Sequence, residues 1–136
     1  MITKNDEYWF NFAMRTAEMS QCQFRHGAVI LYKRKPISLG CNVLKNRNLN
    51  RLVVNAPYNK DADDRRKRSD QIHAEVVAIL KARTDLKGSC LYSARCRPRC
   101  LPGDSAPCES CSQIIALAGI SCIVFWANNK LEKVFI

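Results

Sequence analysis

Two short segments decide the fold and the chemistry of this chain: His73-Ala74-Glu75 and, further along, Pro107-Cys108-Glu109-Ser110-Cys111. One histidine and two cysteines make three ligands of the kind that Zn²⁺ prefers, whereas a structural zinc is normally closed by four protein ligands. A zinc ion held by these three side chains therefore keeps one coordination position open for water. Glu75 follows the histidine by two residues, where its carboxylate can manage the protons of that water. The pattern predicts a catalytic metal site.

Both segments are predicted to open helices. The apolar run after the histidine predicts a helix over about 71–83, with Ser69 or Asp70 as its N-cap. The cysteine pair falls at the start of another predicted helix, over about 107–118, for which Ser105 is the expected N-cap. The positive end of a helix favours the thiolate form that zinc needs. We therefore expect the metal to lie where the ends of the two helices meet.

The rest of the chain predicts a central sheet with helices on its faces, in the order α-β-β-α-β-α-β. Periodicity and turn residues define these elements. The predictions outside the motif are a first helix over about 6–21, capped by Asn5 or Asp6; strands over 26–32, 37–42, 89–94 and 120–126; an edge strand over 131–136; a polar loop over 43–70 with a possible strand over 51–55; and a loop over 96–106.

The charge of the chain indicates an anionic ligand. The formal net charge is +10, from 22 Lys and Arg against 12 Asp and Glu, and nucleotides and nucleic acids both qualify as partners. Basic residues cluster at 33–35, at 65–68, and at Arg95, Arg97 and Arg99. These clusters flank the motif segments and favour phosphate recognition, although a charge run is as often a solvated face. Few aromatic residues lie among them, which argues against a stacking platform for single strands.

Length and cysteine usage predict one cytoplasmic domain. The 136 residues suffice for a single core. No apolar run is long enough to cross a bilayer, and the first residues do not resemble a signal peptide, so we expect no membrane partner. In the cytoplasm the eight cysteines are expected to be thiols and not disulfides. Cys96 and Cys100 have a spacing that a second metal could use, but two unpaired loop thiols are favoured because no further ligands are obvious.

Five segments together carry a resemblance to a known family. They are Arg25-His26-Gly27-Ala28-Val29-Ile30, Gly40-Cys41-Asn42, His73-Ala74-Glu75, Ala106-Pro107-Cys108-Glu109-Ser110-Cys111, and the run over 114–125. The H-x-E…P-C-x-x-C pattern is a signature of zinc nucleobase deaminases. The chain resembles the cytidine deaminase superfamily and, within it, the deoxycytidylate (dCMP) deaminases, especially short phage-type members. The resemblance implies one zinc-dependent deaminase domain over 1–136, with a three-layer α/β/α fold and a central mixed sheet of about five strands.

The resemblance also implies roles for individual residues. His73, Cys108 and Cys111 hold the Zn²⁺, and Glu75 is the catalytic residue that takes a proton from water and delivers it to the base. Residues expected to contact the substrate are Asn42, Ala74, Lys45, Arg47 and Ser105. For Asn42, a plain turn asparagine is an equally open interpretation.

Three functions remain open from the sequence. The first is hydrolytic deamination of a deoxynucleotide, dCMP to dUMP, with release of ammonia, in the host cytoplasm if the chain is phage-encoded. The alternative is deamination of cytosine or adenine in a polynucleotide, either tRNA or single-stranded DNA. A zinc module without catalysis is disfavoured, because Glu75 is not needed to hold the metal. Such small deaminases often form homo-oligomers. The apolar tail over 134–136 could serve an interface, but a place in the core is favoured.

Overall fold

The computed structural model describes residues 1–44 and 71–136. The elements along these residues are α1 (Lys4–Ala17), β1 (Arg25–Tyr32), β2 (Lys35–Cys41), β3 (Val43–Leu44), β4 (Gln71–Ile72), α2 (Ala74–Lys81), β5 (Cys90–Arg97), a 3₁₀ turn (Pro98–Cys100), β6 (Leu101–Gly103), α3 (Glu109–Leu117), β7 (Cys122–Ala127) and β8 (Lys130–Phe135). None of the described helices is long and apolar enough to span a membrane.

The main sheet is mixed and has the strand order β2-β1-β5-β7-β8, with β6 paired to β5. Strand β1 runs antiparallel to both of its neighbours, whereas β5 and β7 are parallel. A separate small ladder joins β3 to β4 through the pairs Val43 with Ile72 and Leu44 with Gln71. Because β4 ends at Ile72, this ladder places the next residue, His73, at the entrance to α2.

Helix α1 covers one face of the sheet. Phe10, Ala13 and Met14 pack in one apolar cluster with Val29 of β1 and with side chains of β5 and β7. The helix can approach β1 closely because β1 has a glycine at the contact. A Cβ at Gly27 would lie against the backbone of Ala13 and Ala17, so a larger residue there would push the helix away from the sheet.

Helices α2 and α3 cover the opposite face. Val76 and Val77 of α2 and Ile115 of α3 belong to a second apolar cluster, which also contains Ile30 of β1 and Leu91 of β5. Each strand thus sends alternate side chains into two different cores, as the period of a strand requires. The result is the three-layer α/β/α arrangement around a mixed sheet that the sequence predicted.

The predicted helix starts were wrong by a few residues. Helix α1 is capped by Thr3, whose side chain accepts from the N–H of Asp6 while the Asp6 carboxylate accepts from the N–H of Thr3. This reciprocal capping box starts the helix earlier than a cap at Asn5 or Asp6 would. Helix α2 begins only after β4, with His73 as its N-cap. The proposed caps of that helix, Ser69 and Asp70, and the possible strand over 51–55 lie outside the described residues.

Two predictions for the second half of the chain were also wrong. The segment over 96–106 is not all loop, because β5 continues to Arg97 and turns back into β6. The tail does not finish the core: Val134, Phe135 and Ile136 are 46%, 71% and 57% exposed. The predicted edge strand itself is confirmed as β8, which pairs with β7 along its length.

Candidate active site

The two halves of the sequence motif meet at the N-terminal ends of α2 and α3. His73 is the N-cap residue of α2 and Cys108 that of α3, while Cys111 lies in the first turn of α3. His73 Nδ1 is 3.1 Å from Cys111 Sγ and 3.7 Å from Cys108 Sγ. The N–H of Cys111 also donates to Cys108 Sγ at 3.4 Å. The expectation that the three side chains meet where two helices begin is confirmed by these contacts.

The arrangement of the three ligand atoms suits a tetrahedral metal ion. All three atoms lie within 4.8 Å of one another. Tetrahedral zinc, with Zn–N of about 2.0–2.1 Å and Zn–S of about 2.3 Å, places a ligand nitrogen about 3.6 Å from a sulfur. The two observed nitrogen–sulfur distances, 3.1 and 3.7 Å, bracket that value. One ion can therefore be coordinated by these side chains with small adjustments.

The pKa values of the two cysteine thiols are shifted in opposite directions. A hydrogen bond from the Cys111 thiol, assisted by His73, lowers the pKa of Cys108 to about 4. The bond to Cys108, together with burial, raises the pKa of Cys111. Cys108 is exposed at the helix end, whereas Cys111 is fully buried. One thiolate is thus already present at neutral pH, and a metal would displace the proton of the second thiol.

Glu75 lies in the first turn of α2 and is almost completely buried, at 6% exposure. Burial raises the pKa of its carboxyl group, and the nearby His73 opposes that shift. Its Oε2 lies 3.3 Å from the Ser93 hydroxyl of β5. A carboxyl group whose charged form is poorly solvated beside a candidate metal centre is suited to accepting and returning a proton.

A cleft of about 370 Å³ opens over the histidine, the glutamate and Cys108, and this volume lies in the range of small-molecule sites. Of its other lining residues, only Asn42 and Ser105 were predicted as site residues. The lining residues that were not predicted are Phe24, His26, Gln71, Arg95 and Ala106. Burial lowers the pKa of His26 to about 4, so its imidazole is neutral at physiological pH.

Phe24 and Arg95 lie against each other in the lining of this cleft. The Phe24 ring is 52% exposed, and the Arg95 guanidinium carbon lies 5.1 Å from its centroid. The two residues are far apart in the chain and meet because β1 and β5 are adjacent, with Arg25 opposite Cys96. A cluster of arginines was recognised in the sequence, but only the sheet register shows which of them faces the cleft.

Asn42 and Ser105 line the cleft with side chains that are already engaged by the protein. Asn42 is 2% exposed; its amide donates to Phe24 O and Gln71 Oε1 at 2.7 and 3.1 Å, and its Oδ1 accepts from the N–H of His26 at 2.9 Å. The Ser105 hydroxyl donates to Ser93 O at 2.7 Å and accepts from the N–H of Trp126 at 2.9 Å. These contacts tie the cleft wall together, and Ser105 is not the N-cap of α3.

The other expected substrate contacts are less informative. Ala74 is the first residue of α2 and is fully buried, which leaves its backbone as the part that could meet a base. Lys45 and Arg47 lie outside the described residues. A direct contact of either residue with a substrate stays a prediction.

Sequence comparison places these features in a family. Residues 3–127 match the family described as the cytidine and deoxycytidylate deaminase zinc-binding region. The deoxycytidylate deaminase of Mycobacterium phage D29 is 30% identical over 132 residues, which span 88% of this chain and 92% of that protein. The match thus runs from the first helix almost to the last strand.

Solved structures show the same fold at lower identity. The dCMP deaminase from cyanophage S-TIM5, in complex with dCMP and dUMP, has a TM-score of 0.57 at 19% identity over 89% of this chain and 79% of that one. The cytidine deaminase from Burkholderia pseudomallei has a TM-score of 0.61 at 17% identity, over 95% and 91%. With its motif, its fold and its sequence relatives in agreement, the chain belongs to the cytidine and deoxycytidylate deaminase family.

Proposed function

We propose that this chain is a zinc-dependent deoxycytidylate deaminase, which converts dCMP and water to dUMP and ammonia. The observation that carries the proposal is the convergence of His73, Cys108 and Cys111 with the buried Glu75 at one cleft. The phage D29 relative is a deoxycytidylate deaminase, and the cyanophage structure of similar fold holds dCMP and dUMP. Both support a deoxynucleotide as substrate.

Zinc bound by the three ligand side chains would supply a Lewis acid that activates water at neutral pH. Glu75 then performs the proton transfers: it accepts a proton from the attacking water, delivers it to the ring nitrogen of cytosine, and assists the departure of ammonia from C4. Its burial suits both directions of transfer, because the neutral and charged forms are brought closer in free energy. The net change is replacement of the amino group at C4 by oxygen.

Arg95 is the described residue best placed to recognise the substrate phosphate. It lines the same cleft as Glu75 and its guanidinium is braced against the Phe24 ring. Guanidinium groups bind phosphate through paired hydrogen bonds. Lys45 and Arg47, which lie outside the described residues, are further candidates for this contact. His26, neutral and half-buried, lines the same cleft.

A polynucleotide substrate is the second candidate, and the exposed Phe24 ring favours it. An aromatic face beside an arginine at the rim of a cleft can stack a neighbouring base of a single strand. This second function predicts binding that falls steeply with salt, because several phosphates are contacted. A mononucleotide substrate predicts a much weaker dependence.

Ammonia release from dCMP, dCTP, deoxycytidine and a cytosine-containing oligonucleotide tests both candidates. We expect turnover of dCMP, with the zinc ion of the cleft and the activity lost together in Cys108→Ser. In Arg95→Gln, kcat/KM for dCMP should fall about 10–100-fold, the loss expected for a charged hydrogen bond, while deoxycytidine is unaffected. Arg83→Gln, at an exposed position outside the cleft, is the matched control. Turnover confined to the oligonucleotide would overturn the assignment.

We also propose that the chain forms a homo-oligomer through its C-terminal tail. The tail exposes Phe135 and its two apolar neighbours, and exposed apolar residues in a row are typical of an interface. Sedimentation of the wild type and of Phe135→Ser tests this. We expect the variant to dissociate, and a monomeric wild type would contradict the proposal.

A further inference from the structure

A second cluster of metal-ligand side chains lies away from the cleft. Glu18, at the C-terminal end of α1, meets Cys96 of β5 and Cys100 of the 3₁₀ turn. Their ligand atoms all lie within 4.8 Å of one another, and Cys100 Sγ is 3.1 Å from Glu18 Oε2. The three residues come from two parts of the chain that are far apart in sequence, so the fold creates the cluster.

The hairpin between β5 and β6 returns the second cysteine to the first. Its tip is Cys96-Arg97-Pro98-Arg99-Cys100, a spacing of three intervening residues that falls within the range of zinc-binding cysteine pairs. Arg99 and Cys100 both adopt the left-handed conformation, with φ of 69° and 57°. The Arg97 side chain also donates to Pro102 O at 3.0 Å, which fixes the base of the turn.

The cluster lies on the opposite face of the sheet from the cleft. Side chains alternate along β5: Ser93 and Arg95 face the cleft, whereas Tyr92 and Cys96 belong to the side packed against α1. None of the three clustered residues lines the cleft. An ion bound here would therefore be separate from the one proposed for deamination.

The charges around the cluster suit a divalent cation of the zinc type. Two thiolates and one carboxylate carry three negative charges, of which a divalent ion neutralises two. Arg97 and Arg99 on the same hairpin supply positive charge that can offset the remaining negative charge. Sulfur ligands select zinc over calcium or magnesium. Three protein ligands leave one coordination position of a tetrahedral zinc ion open, and water can fill it at this exposed edge.

We propose that Glu18, Cys96 and Cys100 bind a second zinc ion, which fastens the end of α1 to the β5–β6 hairpin. Binding releases the protons of the two thiols, and no oxidation is involved. We assign the ion a structural role, because it would join two distant parts of the chain and none of its three ligand residues lines the cleft. This proposal does not depend on the reaction catalysed at the cleft.

Zinc counting on the purified full chain, kept under reducing conditions, tests the proposal. We expect two zinc ions per chain in the wild type and one in Cys100→Ser. Cys41→Ser, which replaces a half-buried thiol outside both clusters, should keep two. Cys108→Ser should lose only the ion at the cleft, so failure of the proposed reaction and failure of this site give different results.

A second variant keeps the test clear if Cys100→Ser folds poorly. Glu18→Gln changes an exposed residue at a helix end. Because Glu18 is a proposed ligand, the affinity for the second ion should fall by more than the ~10–100-fold that loss of an outer-shell partner costs. Titration of Co²⁺ into zinc-free protein measures this through sulfur-to-cobalt absorption, with Glu7→Gln as the control. One zinc per wild-type chain, or two zinc ions in Cys100→Ser, would overturn the site.

Discussion

Two buried carboxylates lie on opposite faces of the sheet, and their surroundings differ sharply. Asp6 in α1 is 3% exposed and Glu75 in α2 is 6% exposed. Asp6 accepts from the N–H of Thr3, the hydroxyl of Tyr92 and the ammonium of Lys133, at 3.0, 2.7 and 3.2 Å. Glu75 has the Ser93 hydroxyl at 3.3 Å. Asp6 thus accepts from three donors in different parts of the chain, whereas Glu75 has this hydroxyl and its own backbone N–H.

The pKa values of the two groups move in opposite directions for this reason. Burial tends to raise the pKa of Asp6, but the hydrogen bonds and the positive charge of Lys133 outweigh it and the pKa is lowered. For Glu75 burial is the dominant influence and the pKa is raised. A carboxylate that is held charged ties elements together, whereas one whose charge is poorly compensated is available to exchange protons. The comparison assigns Asp6 to the fold and Glu75 to the chemistry.

The largest expected effect is on turnover, in Glu75→Gln. The amide keeps the size of the side chain but cannot accept and return a proton, so we expect kcat for dCMP to fall about 10²–10⁴-fold. Zinc content should stay unchanged, since Glu75 is not among the three ligand residues. Steady-state ammonia release and metal analysis measure the two quantities.

The control for this variant is Glu109→Gln, an exposed glutamate in the first turn of α3. Glu109 is next to Cys108 in the chain but does not line the cleft, so the turnover of this variant should match that of the wild type. If Glu75→Gln kept most of its turnover, the assignment of Glu75 to proton transfer would be wrong.

The next largest effect is on stability, in Asp6→Asn. The neutral amide leaves Lys133, which is 19% exposed at its side chain, without its ion-pair partner. We expect the free energy of unfolding to fall by about 1–3 kcal/mol, the cost of leaving a buried polar group poorly satisfied. Urea denaturation measures it, and kcat of the folded variant should be unchanged. Glu7→Gln, the exposed neighbour, should stay within about 0.5 kcal/mol of the wild type.

How much of this contrast the sequence predicts depends on how local each interaction is. The three candidate ligands were singled out from the sequence because chelation depends on residue type and spacing, which are visible in the chain, and the structure brings them together. The burial of Glu75 was not predicted, and it follows from the packing of α2 on the sheet. Two of the three donors to Asp6 come from β5 and β8, and Asp6 itself was considered only as a possible helix cap. No local pattern links it to Tyr92 or Lys133.

The second cluster illustrates the same limit. Proline and glycine in the segment over 96–106 indicated a loop, because proline lacks the N–H that an inner strand needs. Pro102 is tolerated in β6, which among the described strands pairs with β5 alone. With a loop in this position, Cys96 and Cys100 had no visible third ligand. Glu18 becomes that candidate only when α1 is packed on the sheet.

A smaller effect is expected from acid. Because the pKa of Asp6 is lowered in the folded protein, its contribution to stability is complete above the unfolded value of about 3.8 and is lost as the pH falls through the folded value. The groups that face it are Tyr92, Lys133 and the Cys122 thiol. The stability difference between wild type and Asp6→Asn should therefore be constant near neutral pH and shrink in acid. Urea denaturation across pH measures it, and a difference that is independent of pH would contradict the charged state of Asp6.

The smallest effect is expected in Ser93→Ala, which sharpens the account of Glu75. The Ser93 hydroxyl has one proton, and its distance to Ser105 O, 3.0 Å, is shorter than its distance to Glu75 Oε2, 3.3 Å. The proton is therefore engaged mainly by the cleft wall, and Glu75 receives little from it. We expect the free energy of unfolding to fall by about 1 kcal/mol and kcat to change less than about tenfold, with KM nearly constant. A loss of kcat as large as that in Glu75→Gln would show that this hydroxyl positions the carboxylate. The two buried carboxylates would then be more alike in their hydrogen bonding than the donor distances indicate.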